Sequence, residues 1–420
     1  MRTVARVGLS LVLSAVSTYA QEATPAASPA ASPAPDSKHS GAPLGQFTIG
    51  SVVVTPTFRI GTFAVDTNVQ YLREKRTDFL AEAGPGLDFA LPFLDHWQLD
   101  IQGSSQYFYF YRTKELRRWT GAGTASLHWA TTGTRASLST GLTREFSRPS
   151  FEVDARVASK RAHVLGSIER DLGRLTLALR TSLEATKVDQ GQEFRGADLA
   201  ATLTTDRYRG DLDLFYHLTP LTSIVFEGGY EETHFPNEVI RNFAQENAGA
   251  GFVTSGLLKG RVTAGVRRTH LLLGRASNTQ PYLRGDLSQH LGQRFVLSER
   301  YADEPTISAF TVNGSLPTFE RRTLGVELTI LITKRIDMRL KGTRETLRSN
   351  GLVQVVLDDG TTAVGKRDDL IYTAEADVGM RLGRTRTSAF VSYTTRDSYY
   401  LADFGIQGLL AGARVEYAPR

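Results

Sequence analysis

Long stretches of this chain alternate apolar and polar residues one by one, and this period of two limits the fold more than any other feature. WQLDIQGSSQYFYFY places Trp97 on one face and Asp100 on the other, and LIYTAEADVGMRL separates Ala376 from Glu375 in the same way. Such alternation is typical of β-strands, whose side chains point in turn to the two faces of a sheet. The sequence therefore predicts an all-β fold.

Two kinds of connection alternate between the predicted strands. The short ones have the length and composition of tight hairpin turns, and they lie at Pro92–His96, Thr131–Gly133, Leu172–Arg174, Leu218–Pro220, Gly256–Leu258, Leu291–Gln293, Thr333–Arg335 and Leu382–Arg384. The long polar connections lie at 146–159, 235–241, 303–318 and 347–369. This arrangement predicts about 18 strands (16–18), with both termini of the chain on the tight-turn side.

The alternation by itself does not distinguish a soluble β-sandwich from a membrane barrel. Three features favour the barrel: the strands often exceed about 12 residues where soluble strands average about 5–6, the two kinds of connection alternate regularly, and aromatic residues lie near strand ends. Trp97 and Trp129 lie by the tight turns, and Trp119 and 107–111 lie by the long connections. No stretch approaches the ~18 apolar residues of a membrane-spanning helix. We expect a single transmembrane antiparallel up-and-down β-barrel.

A closed sheet in a bilayer presents its apolar face to lipid and its polar face to the lumen. This assignment predicts a set of charged lumen-facing residues: Asp100, Arg135, Arg174, Arg180, Glu184, Asp213, Glu227, Arg261, Arg267, Glu327, Asp337, Arg339, Lys341, Glu375, Asp377, Arg381, Arg386 and Arg396. The mixture of signs is compatible with a conduit that selects solutes and with cross-strand ion pairs that stiffen the wall. Both interpretations remain open at this point.

The lumen of a barrel of this size is too wide for side chains alone to fill. A plug therefore needs a folded-in segment, and the candidates are the amino-terminal tether and the connections 303–318 and 347–369. Two of the long connections contain turn dipeptides, Asp359-Gly360 in VQVVLDDGTTAV and Asn313-Gly314 in FTVNGSLP. Because both dipeptides favour two-residue turns, we expect hairpins there that continue beyond the membrane.

The amino terminus has the features of a secretory signal peptide. Arg2 and Arg6 precede a short apolar segment that ends in small residues at Ala20. Residues 21–44 repeat Ala, Ser and Pro and predict a disordered linker. The barrel then occupies 45–420. The chain has no cysteine, so no disulfide supports the fold.

The composition argues against several other classes of protein. The net charge is +5, with Lys, Arg, Asp and Glu intermixed, which does not favour nucleic-acid binding. Nucleophile-elbow, phosphate-loop and HExxH motifs are absent from the sequence, and we expect no enzyme activity and no cofactor. His234 and His270, near the predicted outer rim, are the candidates for a barrel enzyme that acts on lipids. The pairs Asp358-Asp359 and Asp368-Asp369 predict a solvated acidic loop rather than a metal site.

Two stretches resemble the β-barrel porin type 2 family. VTPTFRIGTFAVDTNVQY carries Pro56 and the element Asp66–Val69, and FYHLTPLTSIVFEGGYEETHFP with Arg241 is similar to an internal hairpin of that family. The resemblance implies an outer-membrane barrel, often associated with export of surface polysaccharide, without catalytic residues. The chain departs from many such barrels in ending with Tyr417 followed by Ala-Pro-Arg.

These observations favour a porin-like outer-membrane barrel as the predicted function, one that passes hydrophilic solutes or exported polysaccharide. The expected partners are outer-membrane lipid and the barrel-assembly machinery, with no nucleic acid. The alternatives are a closed structural or interaction barrel that displays its long connections, and a lipid-modifying enzyme.

Overall fold

A computed structural model of the chain describes residues 47–69, 75–149, 152–153, 155–194, 196–356, 361–383, 385–398 and 406–417. The strands are β1 Phe47–Ile49, β2 Val52–Asp66, β3 Asp78–Phe93, β4 Trp97–Phe110, β5 Arg118–Thr131, β6 Thr134–Ser147, β7 Val157–Leu172, β8 Leu175–Val188, β9 Glu193–Phe194, β10 Ala197–Asp198, β11 Thr205–Thr219, β12 Thr222–His234, β13 Phe243–Ser255, β14 Leu258–Leu271, β15 Ser277–Leu291, β16 Phe295–Ile307, β17 Thr318–Leu331, β18 Ile336–Ser349, β19 Val353–Val356, β20 Thr362–Gly365, β21 Asp368–Leu382, β22 Thr385–Ser398 and β23 Ile406–Tyr417.

The described helices are short and lie in connections. They are α1, Leu199–Leu203, and two 3-10 helices, Lys114–Leu116 and Val239–Arg241. The Asp198 side chain begins α1 by accepting hydrogen bonds from the amides of Ala200 and Ala201. No helix in the described ranges is long and apolar enough to cross a membrane.

Eighteen of the strands form one closed antiparallel barrel. Consecutive barrel strands pair with each other, and the connections that contain β9–β10 and β19–β20 join β8 to β11 and β18 to β21. The barrel closes where β2 pairs with β23, from Ile60 opposite Val415 to Asp66 opposite Leu410. The predicted all-β up-and-down barrel of about 18 strands is confirmed.

The eight tight turns lie where the sequence predicts them. Gly133, Gly173, Gly292 and Gly383 have positive φ at four of these turns, a conformation that glycine adopts without steric cost. The long connections all lie at the opposite end of the barrel, because every second connection is tight. One end of the barrel therefore carries the tight turns and the other end carries the longer connections.

Each barrel strand has one exposed apolar face. In β8, Leu175, Leu177 and Leu179 are exposed, whereas Thr176 and Ala178 between them are buried. The barrel thus has its large apolar side chains on the outside, the reverse of a soluble protein.

One of the two predicted loop hairpins is confirmed and one is wrong. VQVVLDDGTTAV forms the pair β19–β20, with its turn at 357–360 outside the described residues. Asn313-Gly314 does form a turn, with φ of 84° at Gly314, but its flanks do not pair with each other. Instead the Val312 amide donates to the Leu352 carbonyl and the Gln354 amide to the Phe310 carbonyl, at 3.1 Å each. The backbone groups that a hairpin needs are already used by β19.

Two predicted long connections are shorter than expected. β16 continues to Ile307 and β17 begins at Thr318, whereas the sequence predicts a connection over 303–318. Likewise β18 ends at Ser349 and β21 begins at Asp368. Polar residues at these strand ends interrupt the alternation of apolar and polar side chains, so the period of two does not predict how far the strands continue. The predicted signal peptide (1–20) and linker (21–44) lie outside the described residues.

Candidate functional site

Nearly all of the predicted lumen-facing residues lie on barrel strands, on the face opposite the exposed apolar side chains. The exception is Arg174, which lies exposed in the tight turn between β7 and β8. In β22, for example, Arg386 and Arg396 are buried, while Val391 and Tyr393 on the other face are exposed. Their assignment to the lumen belongs to the function proposed below.

A first group of these charges is centred on Arg261 of β14. Its guanidinium donates to both carboxylate oxygens of Asp213, at 2.9 and 3.0 Å, and also to Glu227. Arg180 bonds the same Asp213, and Arg284 donates to Glu227 at 2.9 Å. These side chains come from β8, β11, β12, β14 and β15, so the group joins strands that are not neighbours. Paired charges of this kind remain compatible with low solvent access.

A second group is centred on Arg386 of β22. Its guanidinium donates to Asp337 at 2.6 Å and also to Asp377. Gly379 makes room for it, because a Cβ there would clash with the Arg386 guanidinium. Arg339 and Arg381 lie 3.9 and 3.6 Å from the Asp337 carboxylate.

The remaining predicted residues are distributed around the wall. Each of them has an ionisable neighbour. By distance these are His128 for Asp100, Glu169 for Arg135, Arg161 for Glu184, Arg414 for Glu375 and Asp369 for Arg396. Glu327 and Lys341 lie opposite each other in strand register. The structure therefore brings most of the predicted residues into local ion pairs. It does not bring them into one site.

The end of the β16–β17 hairpin leaves the line of the wall. Ala302 and Asp303 are consecutive buried residues in β16, and Thr318, Phe319 and Glu320 are consecutive buried residues in β17. A wall strand would bury every second residue at most on its lumen side, so both faces of this hairpin end are covered. We call residues 302–323 the inner hairpin.

Arg267 of β14 binds the inner hairpin from the barrel wall. Its guanidinium donates to the Asp303 carbonyl at 2.8 Å, to the Asp303 carboxylate at 3.0 Å and to Glu320. Arg267 lies on the polar face of β14. Asp303 is two residues from Tyr301 in β16, and Glu320 is four residues from Leu324 in β17. In a regular wall strand Asp303 and Glu320 would therefore face outward, as Tyr301 and Leu324 do. This contact is possible only if the inner hairpin lies inside the wall next to β14.

Glu152 joins the inner hairpin to other long connections. Its carboxylate accepts a hydrogen bond from the Ala309 amide at 2.6 Å and another from the Ser308 hydroxyl at 3.0 Å. Arg241, from the connection between β12 and β13, donates to the Ser308 carbonyl and, at 3.0 Å, to the Thr202 carbonyl. We call Glu152, Arg241, Ser308 and Ala309 the mouth cluster. It links four connections at the same end of the barrel.

Two apolar clusters surround the mouth cluster. The first contains Val153, Val157, Val188, Leu199, Leu203 and Ala309, and the second contains Phe235, Phe243, Leu271 and Leu316. Each fully buried side chain of this size contributes roughly 1.5–3 kcal/mol. A third cluster places Val353 of β19 on Phe319, Leu347 and Ile371, so the β19–β20 hairpin packs into the mouth as well.

Burial raises the pKa of the Glu152 carboxyl to about 6. The positive charges of Arg367 and Arg241 and the hydrogen bonds from Ala309 and Ser308 act in the opposite direction. Desolvation dominates because the Glu152 residue is 2% exposed. This carboxyl therefore changes charge near neutral pH.

The sequence analysis found part of this mouth and missed the rest. It named 303–318 and 347–369 as possible folded-in segments, and both contribute residues to the clusters. It did not name the connections that carry Glu152, Leu199 or Arg241. Isolated charges in polar loops look solvated, and the apolar residues Val153 and Phe235 inside such loops are the one signal that could have indicated packing.

Two of the alternative candidate residues, His234 and Asp369, have ordinary structural partners. His234 lies 3.0 Å from the Glu232 carboxylate and contacts the Asn242 amide, and His270 lies on β14. Asp369 is buried and bonded to Arg396, which corrects its assignment to a solvated acidic loop. Within the described ranges no group of three or more His, Asp or Glu residues could hold a metal ion. Asp358 and Asp359 lie outside those ranges.

No protein-family model matches this chain, and no curated protein is detectably similar to it in sequence. The resemblance to the β-barrel porin type 2 family therefore stays a prediction. Among solved structures, the FrpB iron transporter from Neisseria meningitidis (F3-3 variant) is 9% identical, with 82% of this chain and 62% of that chain covered and a TM-score of 0.47. This chain thus spans less than two-thirds of the length of FrpB.

Two further solved structures match this chain over nearly the whole of their own length. OccAB3 from Acinetobacter baumannii is 10% identical, with 88% of this chain and 99% of that chain covered and a TM-score of 0.46. OpdO from Pseudomonas aeruginosa is also 10% identical, with 87% and 98% covered and a TM-score of 0.46. At these low identities and TM-scores, the description of this chain as a barrel rests on its own strand pairing.

Proposed function

We propose that this protein is a porin-like barrel of the outer membrane that passes hydrophilic solutes through a charged lumen. The observation that carries the proposal is the division of the barrel wall into an exposed apolar face and an opposite face that carries networks of paired charges. A closed sheet can place its apolar face in hydrocarbon because neighbouring strands pair each other's backbone groups around the barrel. The charged face then surrounds an aqueous path.

The mouth cluster and the inner hairpin narrow this path at the long-connection end. They lie inside the wall and are held by hydrogen bonds as well as by apolar packing. A channel narrowed in this way selects by size and charge. We expect small solutes to pass more readily than large ones.

Conductance across a planar lipid bilayer tests the proposal. The refolded protein should insert and give discrete ohmic steps, and a series of sugars of increasing size should reduce the current until the sugar no longer enters. Insertion without any steps would contradict the proposal. Polysaccharide as cargo rests on the family resemblance alone, and a long glucan that blocks the current reversibly would support it.

A closed structural barrel is the second candidate function. It is favoured by the packing of the connections over the mouth, which buries Glu152 and Phe235 completely or nearly so. Conductance separates the two candidates, because a closed barrel gives no steps at any voltage or pH. Outer-membrane lipid and the barrel-assembly machinery are the partners in both cases.

We propose no catalytic role. The candidate residues for a lipid-modifying enzyme are His234 and His270. The sequence analysis identifies no serine or other nucleophile that would act with either histidine. Replacing both with alanine should leave the lipid composition of proteoliposomes unchanged relative to the wild-type protein.

A further inference from the structure

The ladder between β15 and β16 stops halfway along the barrel wall. Its pairs run from Leu291 opposite Phe295 to Gly285 opposite Tyr301. Beyond that point β15 continues to pair with β14 as far as Ser277, and β16 continues to pair with β17 as far as Ile307, but not with each other. Both strands lie wholly within the described residues. The wall therefore has a slot between 277–284 and 302–307, in its long-connection half.

The sequence encodes this break with two prolines. Extending the register of Gly285 and Tyr301 by four residues places Pro281 opposite Pro305. Proline has no backbone N–H, and within sheets it is confined to edges and bulges. A continued ladder would lack a donor on both strands at the same point. Each strand accordingly behaves as an edge there.

The two sides of the slot lie at different depths. β15 stays in the wall, paired with β14, whereas the inner hairpin is displaced inward and is held by Arg267. Arg267 is 7% exposed and Glu320 is 4% exposed. Buried charged groups thus line the inner side of the slot.

The outer side of the slot is apolar. Leu283 on β15 is 45% exposed on the outward face of the barrel, and Tyr301 of β16, the last residue of the ladder, lies on the same face. Between them runs the free edge of β15, where alternate backbone N–H and C=O groups have no partner on β16. In hydrocarbon each unpaired backbone group costs several kcal/mol. A bound molecule with one apolar end and one hydrogen-bonding end would remove this cost.

We propose that the slot between β15 and β16 is a lateral portal that admits an amphipathic molecule, with a polar head group and an alkyl chain, from the membrane toward the barrel interior. Its head group satisfies the free edge of β15 and approaches Arg267 and Glu320. Its alkyl chain passes between Leu283 and Tyr301 into the bilayer. This inference rests on the proposed function, because it needs a membrane around the barrel.

Two single-cysteine variants test the portal, since the natural chain has no cysteine. Gln280 lies on β15 beside the slot, and Asn247 lies at the same height on β13, because both pair in register with Arg267. β13 is paired along its length on both sides. Gln280→Cys therefore reports on the part of the wall where the ladder is broken, and Asn247→Cys reports on a part where it is continuous.

Each variant is labelled with a fluorophore and reconstituted into phosphatidylcholine vesicles whose acyl chains are brominated or unmodified. Brominated chains quench fluorophores that they contact. The native residues Trp97, Trp119 and Trp129 show whether the barrel is inserted. We expect the tryptophans to be quenched in both variants, the label at 280 to lose fluorescence, and the label at 247 to keep it.

The remaining outcomes overturn the portal. Quenched tryptophans with both labels unquenched, or with both labels equally quenched, leave the membrane barrel intact and remove the lateral opening. Unquenched tryptophans overturn both proposals, because a barrel outside the bilayer has no lipid to admit. As a second measurement, dodecylphosphocholine added to vesicles of unmodified lipid should shift the emission of the label at 280 and leave that at 247 unchanged.

Discussion

The Glu152 carboxylate accepts a hydrogen bond from the backbone amide of Ala309, 157 residues later in the chain. Glu152 lies in the connection after β6 and Ala309 in the connection after β16, eight barrel strands further around the wall. The bond therefore crosses the mouth of the barrel. It ties the inner hairpin to the connections on the other side.

Mouth opening should depend on pH through Glu152. Its pKa is raised to about 6, from 4.5 for an ordinary glutamate, so the packed mouth binds a proton that the opened mouth releases. The packed state is therefore most stable below about pH 4.5 and loses this stability as the pH rises to about 6. The guanidinium groups of Arg241 and Arg367 face the carboxyl. We expect longer open times at pH 7 than at pH 5 in single-channel recordings.

Glu152→Gln provides the control for this pH dependence. Glutamine keeps the size of the side chain and one acceptor but cannot ionise. The variant should show the closed behaviour of acidic pH throughout this range. Unchanged pH dependence in the variant would assign the effect to other groups.

The outward face of β21 should reject a charge at mid-depth. Ala376 lies between Leu340 and Val391 in register, on the exposed apolar face, and arginine there would cost about 2–4 kcal/mol in a bilayer. We expect Ala376→Arg to block assembly, whereas Glu375→Gln, which can still bond Arg414, should assemble normally. Heat-modifiable mobility of outer-membrane fractions measures both, and equal insertion of the two variants would refute the facing assignment.

Charge selectivity should depend on Arg261. Its removal leaves Asp213 and Glu227 without the guanidinium that joins them, so Arg261→Ala should shift the channel toward cations. The reversal potential in a salt gradient measures this shift. Arg268→Ala, on the exposed face of the same strand, is the matched control, and an equal shift in both variants would contradict the proposed lumen.

The position of the inner hairpin should depend on Arg267. Removing one partner from a buried ion pair typically costs about 3–5 kcal/mol, and Arg267→Ala leaves Asp303 and Glu320 buried without it. We expect the hairpin to leave β14 more often and the mean conductance to rise. Arg322→Ala should change little, because its half-exposed side chain contacts Asp303 from the surface, where ion pairs contribute about 0–1 kcal/mol. A mean conductance that stays the same in Arg267→Ala would show that other contacts hold the hairpin.

The sequence by itself determined the barrel wall. Alternation such as that around Ala376 and Glu375 depends only on neighbouring residues, because successive side chains of a strand point to opposite faces. The tight turns are equally local, since residues such as Gly133 adopt positive φ within the turn. Strand number, the direction of the connections and the two faces of the wall all follow from these local patterns.

Only the tertiary structure decided how the mouth is built. The partners in Glu152–Ala309 and Arg267–Glu320 are far apart in the chain and lie on non-adjacent strands or connections, so no period along the sequence relates them. Pro281 and Pro305 are visible in the sequence, but their opposition needs the register of β15 and β16. Wall strands are specified by local geometry, whereas contacts across the lumen form only after closure brings distant segments together.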